Sequence, residues 1–560
     1  MPRMTGSRYF AEFMRGYGVT HVFFVPTVAM NALGEMEDLN IRRVLTHGEV
    51  AAAYMADGYA RASGKPGVCM AQNVGASNLM AGLRDAYMAC SPVIAISGGP
   101  STASRYRHAY QDVDDCSQFD PVTKFNARVD DVTRLPDLLR QAFREATSGS
   151  PGPVHLQIRE PYGTSIEAEG EFELVVEEQF THVPPFRPEP TEIECVRAAA
   201  AMLHRAHKPI IVAGGGVTAS GAQREVVELA EKLCIPVITS LNAKQTILDT
   251  HPLSVGVAGT YSRSCANRVL AEADTVFFIG SRTGGMITTN WQIPARGTTV
   301  IQLDINSAEL GRNYSCAVAL LGDAAVTLRR LIELAQPKAP EAAAAWTGRV
   351  GQLVSEWRKG AEVMRNSDAV PMRPERICKE ISEALPANGV VVADTGHAGM
   401  WSAQMIDFTQ PGQRLIRCAG SLGWGFPGSL GVKCALPDRP VLCFTGDGGI
   451  YYYLSELETA ARCGINVVVV VNNNSSLNQE LRLVNRAYGG KQRGRAGDIW
   501  RFQNLDLAKV AESLGCVGLR ARTPEEFKKS LRSAFGMNKP VVIDAVTDVE
   551  ALATRAWVPG

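Results

Sequence analysis

The clearest chemical signal in this chain lies between Gly446-Asp447-Gly448 and Asn472-Asn473-Asn474. The apolar run Val441-Leu442-Cys443-Phe444-Thr445 delivers the first motif. A helical pattern at Leu454, Leu457, Ala460 and Ala461 follows, and a second apolar run, Ile465 to Val471, ends in the asparagines. A strand–helix–strand crossover puts the carboxyl ends of both strands on one edge of a parallel sheet. Asp447 and Asn474, separated by 27 positions, then converge in the crevice where open α/β sheets bind ligands. Two oxygen-donor side chains beside a glycine turn open to phosphate suit an octahedral Mg²⁺ carrying a diphosphate. Either motif alone reads as an ordinary turn. Their pairing on consecutive strand ends points to metal–diphosphate chemistry.

Other chemical groups are weaker alone. Glu49 follows Thr46-His47-Gly48 and opens a helical stretch, Ala51 to Arg61, where the helix dipole favours any carboxylate. Pro209 to Ala213 reads as a strand running into Gly214-Gly215-Gly216, and Asp304 ends another, an echo of nucleotide-binding design without an intact GxGxxG. Arg482, Arg486, Lys491, Arg493, Arg495 and Arg501 make one stretch basic, which reads as a solvated, mobile loop or as a surface for an anionic substrate.

The elements that must position these groups form three α/β segments: 1–165, 190–335 and 373–545, with a tail over 546–560 that docks over a site or stays disordered. An acidic, proline-rich linker joins the first two, and 337–372 is a connector with some helical content. The expected fold class is α/β, with three doubly wound parallel-sheet domains; the first and third segments are candidates for similar modules. Formal net charge is zero, so nothing global attracts nucleic acid or an anionic membrane. Apolar runs are strand-length, and no secretory signal is read at the start, which makes a cytoplasmic enzyme the expectation. The 13 cysteines lack CxxC spacing and read as reduced core residues.

With these motifs in place, the chain resembles the thiamine diphosphate (ThDP)-dependent enzymes of the acetolactate synthase-like family, which also holds benzoylformate and pyruvate decarboxylases. The likeness runs in order from His47, Gly58-Tyr59-Ala60-Arg61 and Asp85-Ala86-Tyr87 through Ala109-Tyr110-Gln111, Val122-Thr123-Lys124, Gly280-Ser281-Arg282 and Leu303-Asp304-Ile305. It continues through Asp394-Thr395-Gly396 and Gly423-Trp424-Gly425-Phe426-Pro427 to the opening motif. The resemblance implies a pyrimidine-binding first domain, a central domain with room for FAD or ADP, and a diphosphate-binding third domain. It implies Asp447, Asn474 and the Ser476 carbonyl as Mg²⁺ ligands. Gly446, Gly448, Gly449, Thr395, Gly396 and His397 would surround the diphosphate. The Gly420 carbonyl would meet the cofactor's amino group, and Leu422 would support the bent cofactor, although ordinary core is the alternative for Leu422. Glu49 would hydrogen-bond the aminopyrimidine ring and manage its proton. Gln111 and His397 would serve in catalysis. Because the family shares each site between chains, a homodimer is the implied minimum and a homotetramer the expected assembly.

The substrate positions depart from the family. Pro26-Thr27-Val28-Ala29 replaces Pro-Gly-Gly-Ala, Asn73-Val74-Gly75-Ala76-Ser77-Asn78 is one residue short, and Gly396-His397-Ala398-Gly399 replaces Gly-Gln-His-Gln. Glu480, six residues past Asn474, stands where synthases carry an apolar residue and pyruvate decarboxylase-like enzymes a catalytic glutamate. The alternative is a solvent-facing glutamate on a helix starting near Leu477. The expected reaction is carboligation of a 2-oxo acid or related small carbonyl compound. Decarboxylation to an aldehyde and hydrolytic dione cleavage are the alternatives. A catalytically dead binding subunit and a nucleotide-binding protein without ThDP chemistry are the readings from other classes.

Overall fold

A computed structural model of the chain describes residues 2–560. Three six-stranded sheets organise it, and all strand pairs within them are parallel. The strands read as continuous Val, Ile and Phe runs because helices cover both faces of such sheets. The N-terminal sheet runs, edge to edge, through Arg42–Leu45, His21–Phe24, Gly67–Ala71, Val93–Gly98, Val154–Ile158 and Phe125–Val129. The C-terminal sheet runs through Arg414–Arg417, Val390–Ala393, Val441–Gly446, Val468–Asn473, Val541–Val546 and Val517–Ala521. Numbered within each sheet, both have the order 2-1-3-4-6-5, so the first and third units share one topology. The central sheet, from Ser254–Val257 at one edge to Val318–Leu321 at the other, has the order 3-2-1-4-5-6.

Each order reverses beside the first strand, and the loops flanking that point open a crevice. In the C-terminal unit those loops start at Asp394 and at Asp447, in the N-terminal unit at Val25 and Gln72, and in the central unit at Gly214 and Gly280. Asp447 falls on one of these loops, and Asn474 directly follows the neighbouring strand, so strand order rather than sequence proximity brings them side by side.

The N- and C-terminal units share a core. Helix Glu49–Ser63 carries a band of small residues, Ala52, Ala53, Ala56 and Gly58, and packs on helix Gly425–Ala435. The helices approach so closely that a Cβ at Gly58 would overlap the Gly428 carbonyl, and one at Gly431 the Met55 carbonyl. Ala52, Met55, Leu430, Val432 and Trp424 are buried in the resulting core.

Two connecting segments are more ordered than the sequence suggests. The expected connector over 337–372 is largely one 26-residue helix, Pro340–Arg365. Proline at its first turn and the alanine run favour it, and Trp346, Val350 and Leu353 bury against the central sheet's core. The tail docks: Ala551 and Ala553 are buried, and the carbonyls of Val549, Ala551, Thr554 and Trp557 accept from Asn478, Gln404 and Asn267. All 13 cysteines are free. No helix among the described residues is long and apolar enough to cross a membrane.

Candidate active site

Strands Val441–Gly446 and Val468–Asn473 pair in parallel with Gly446 opposite Asn472, so their ends open side by side. Asp447 begins a single helical turn and is buried; its Oδ2 accepts from the Ser476 amide at 2.8 Å. The Ser476 hydroxyl donates to Asn474 Oδ1 at 2.7 Å, so Ser476 links Asp447 and Asn474. Burial pushes the Asp447 carboxyl up to about 7; the amides of Gly448 and Ser476 oppose this, and the like charge of Asp544 adds to it. A buried carboxylate with no cation beside it is the arrangement a metal relieves. The donors are all hard oxygens, which suits Mg²⁺. No cluster of three His, Cys, Asp or Glu side chains stands ready for a metal among the described residues.

The surrounding glycines are fixed by packing. A Cβ on Gly448 would strike Leu477, and one on Gly449 would lie 2.5 Å from Thr445 Oγ1 and 2.7 Å from Asp394 Oδ2. Gly396 has φ +66°, in the left-handed region, and a Cβ there would lie 2.6 Å from Gln479 Oε1. Thr395, Gly396 and His397 thus sit against the segment that follows Asn474.

Asp394 is a residue whose role the motif reading missed. Its Oδ1 accepts from the amides of Thr395 at 2.7 Å and Gly423 at 3.1 Å, and its Oδ2 from the Thr445 hydroxyl at 3.0 Å. Burial raises its carboxyl to about 6 against those hydrogen bonds. It ties together three backbone segments around the crevice. The signal was present in the sequence as an acidic residue directly before Thr395-Gly396.

His397 Nδ1 lies 2.8 Å from Asn478 Oδ1. The Asn478 amide donates to the Val549 and Ala551 carbonyls, which fixes its oxygen toward the histidine. Nδ1 therefore carries the proton, and Nε2 is left as the acceptor. Burial lowers the His397 pKa, with Asn478 opposing and Arg482 reinforcing, which favours the neutral ring.

Gly420 is exposed and Leu422 half-buried on the loop between strand Arg414–Arg417 and helix Gly425–Ala435. Glu480 is half-buried and ends a 3-10 turn, Asn478–Glu480, with the helix starting only at Leu481. The expected helix start near Leu477 is displaced because Leu477 has ψ 60° and Asn478 is engaged by the tail. The basic stretch is anchored at its ends, where Trp500 is buried with Leu481 and Val484 and Arg501 stacks on Trp500, while Arg486, Lys491, Arg493 and Arg495 are exposed to solvent.

Glu49 and Gln111 stand apart from this set, at the carboxyl edge of the N-terminal sheet. Glu49 heads its helix, accepts from Asn78 Nδ2 at 3.1 Å, and rests against Gly75, where a Cβ would be 2.6 Å from Oε1. The Gln111 carbonyl accepts from Asn73, while Gln111 Oε1 and Asn73 Oδ1 are buried without partners. Gln111 has φ +59°, a strained conformation for a non-glycine residue.

In the central unit Gly214 and Gly216 pack against Gly280, so those glycines serve close strand-end packing. Asp304 accepts from the Asn306 amide at 2.9 Å, and burial raises its carboxyl. A groove of about 750 Å³ lies between this unit and the N-terminal one, lined by Lys124, Arg282, Asn306, Ser307 and Arg312 among others.

The thiamine pyrophosphate enzyme N-terminal TPP binding domain matches residues 4–119, the central domain 196–331, and the C-terminal TPP binding domain 394–545. The probable acetolactate synthase large subunit of Methanocaldococcus jannaschii is 32% identical over 98% of this chain and 93% of its own length. The acetolactate synthase isozyme 1 large subunit of Escherichia coli is 32% identical, over 85% of this chain and 82% of its own. The acetolactate synthase large subunit of Corynebacterium glutamicum is 30% identical over 98% and 88%. A chain with this domain series, this site and these relatives is an enzyme that belongs to the acetolactate synthase-like family of thiamine pyrophosphate enzymes.

Proposed function

We propose that this enzyme uses ThDP and Mg²⁺ to join two carbonyl compounds, the first a 2-oxo acid, in an acetolactate synthase-like carboligation. The observation that carries the reading is the convergence of Asp447, Asn474 and Ser476 at the C-terminal switch point, in a chain alike to synthase large subunits over nearly its whole length. When bound, the cofactor supplies the electron sink for breaking and making a bond next to a carbonyl.

The chain's own residues do the rest. Asp447, Asn474 Oδ1 and the Ser476 carbonyl hold Mg²⁺, and the backbone at Gly446, Gly448, Gly449, Thr395 and Gly396 surrounds the diphosphate. The Gly420 carbonyl and Leu422 orient the aminopyrimidine end. The Glu49 carboxylate holds a proton at the ring nitrogen of a partner chain's cofactor, which makes the dimer the smallest working unit. Glu49 suits the task because it carries no ion pair and its Oε2 is oriented by Asn78. Neutral His397 offers Nε2 as a proton acceptor, and Gln111 and Asn73 offer unpaired oxygens to the substrate. The groove beside Arg282 is the place for an FAD or ADP, and a tetramer is the assembly we expect.

One feature favours a second reading. Glu480 is half-buried at the end of a 3-10 turn, and as a proton donor it would divert the reaction to aldehyde release. Product analysis by proton NMR with pyruvate and other 2-oxo acids, ThDP and Mg²⁺ decides between them. Acetolactate or another ligation product supports carboligation. Free aldehyde with CO₂ would replace it by decarboxylation, and no turnover across the panel would overturn both.

A further inference from the structure

The loop 418–424 carries the Gly420 carbonyl and Leu422, yet it is anchored by the N-terminal unit. Asp85 lies on helix Ala76–Met88 and is completely buried. Its Oδ1 accepts from the Ala419 amide at 2.8 Å, and its Oδ2 from the amides of Gly420 and Ser421, both at 3.0 Å. Three consecutive amides of one loop thus close on a single carboxylate, the geometry of a backbone anion nest. Arg61 donates to the same carboxylate at 2.8 Å, and forks onto Asp57 at 2.8 and 2.6 Å. A third Arg61 nitrogen donates to the Arg417 carbonyl at 2.5 Å, at the strand end that enters the loop. At the loop's other end the Trp424 indole donates to Asp57 at 2.9 Å, and the Arg61 guanidinium lies 4.7 Å from the Trp424 ring.

The loop therefore has its entrance, middle and exit held by Arg61, Asp85 and Asp57. Two buried carboxyl groups face one arginine: burial raises Asp57 despite Arg61, whereas at Asp85 the three amide dipoles add to Arg61 and favour the ionised form. Burial alone would raise the Asp85 carboxyl; Arg61 and the amides outweigh it and hold it below the usual range. A carboxylate placed only for packing would not need to be ionised. When three successive amides point one way, the peptide planes between them are fixed, and so is the direction of the Gly420 carbonyl.

We propose that Asp85, held by Arg61, is a positioning residue for the aminopyrimidine end of the cofactor, by which a chain's N-terminal unit sets the cofactor loop of its own C-terminal unit. This rests on the reading that Gly420 and Leu422 meet the cofactor. The same helix that offers Glu49 at its first residue to the partner chain's cofactor places Arg61 near its last, at the loop that meets its own chain's cofactor.

Asp85→Asn keeps the shape but puts an NH₂ group against amides that need an acceptor. Three readouts test the role. Hydrogen exchange of the wild-type protein without cofactor should show the 419–421 amides already protected; exchange at free-peptide rates there would overturn the proposal, whatever the variant does. In Asp85→Asn those amides should exchange at least 10-fold faster. Equilibrium binding should show ThDP with Mg²⁺ weakened by about 10- to 100-fold, with Mg²⁺–pyrophosphate, which reports only the diphosphate end, unchanged within about twofold. Equal loss of both ligands would mean general damage and overturn the proposal. Unchanged ThDP affinity in the variant would overturn it while leaving the function intact. Failure of wild type to bind ThDP would instead overturn the functional reading on which the proposal rests.

Discussion

Gly75→Ala isolates the position of the Glu49 carboxylate from its chemistry. Gly75 has φ −67° and ψ −14°, an α-region conformation that alanine adopts without strain. Through the unfolded chain the change favours folding by about 0.4–1 kcal/mol. The new methyl would lie 2.6 Å from Glu49 Oε1 and 3.0 Å from its Cδ and Cγ. Carbon contacts relax to roughly 3.5 Å, so the carboxylate must shift by about 1 Å. Its partner is the end of a flexible side chain, so stability should change by less than about 1 kcal/mol. A misplacement of about 1 Å of a catalytic group costs roughly 100-fold, or about 2.7 kcal/mol in the barrier. The assay is kcat and KM on the substrate found by product analysis, beside Tm and ThDP affinity. We expect kcat to fall about 30- to 100-fold with Tm and ThDP affinity nearly unchanged. Gly82→Ala is the contrast: its Cβ meets Ala53 Cβ at 2.5 Å and the Val50 carbonyl at 3.1 Å, so it should lose about 1–3 kcal/mol of stability by overpacking. Activity within twofold of wild type in Gly75→Ala would refute the placement of Glu49 in the proton chemistry.

Further outcomes follow from the same contacts. Asp447 is protonated in the cofactor-free fold up to about pH 7 against an ordinary 3.8, so the fold binds the extra proton between those values and its stability falls as pH rises through that window. Mg²⁺ must displace that proton, so affinity for Mg²⁺ with ThDP should rise about tenfold per pH unit up to about pH 7 and level off above, and a flat titration from pH 5.5 to 8 would contradict this. Asp447→Asn should weaken Mg²⁺-dependent ThDP binding at least 100-fold at pH 8, measured by calorimetry. Glu480→Gln should leave ligation rates within about threefold under the carboligase reading; a loss of 100-fold or more, with aldehyde as the product, would move the enzyme to the decarboxylases.

The sequence revealed the C-terminal site well because its residues lie on two consecutive strand ends, where spacing and apolar runs determine convergence. Asp447 and Asn474 lie side by side there, and Ser476, which spacing alone did not single out, bonds to both. Asp394 and Asp85 were quoted only as parts of longer runs, because their partners are backbone amides of residues 29 and 334 to 336 positions away, which no local pattern encodes. The topology shared by the first and third sheets was legible only as a suspicion, since strand order depends on crossovers rather than composition. The helix Pro340–Arg365 was underestimated because its alanines dilute the apolar stripe carried by Trp346, Val350 and Leu353. Asn478, which fixes the His397 tautomer, was invisible for a different reason: its other partners are tail carbonyls.

The central claim is that Glu49 manages the proton that makes bound ThDP reactive. Deuterium exchange at the thiazolium C2 position, followed by proton NMR after rapid acid quench, tests it in wild type and Glu49→Gln. The account predicts that both proteins bind ThDP with similar affinity while exchange in the variant is slower by about 10²- to 10⁴-fold. Equal exchange rates in the two saturated proteins would contradict it.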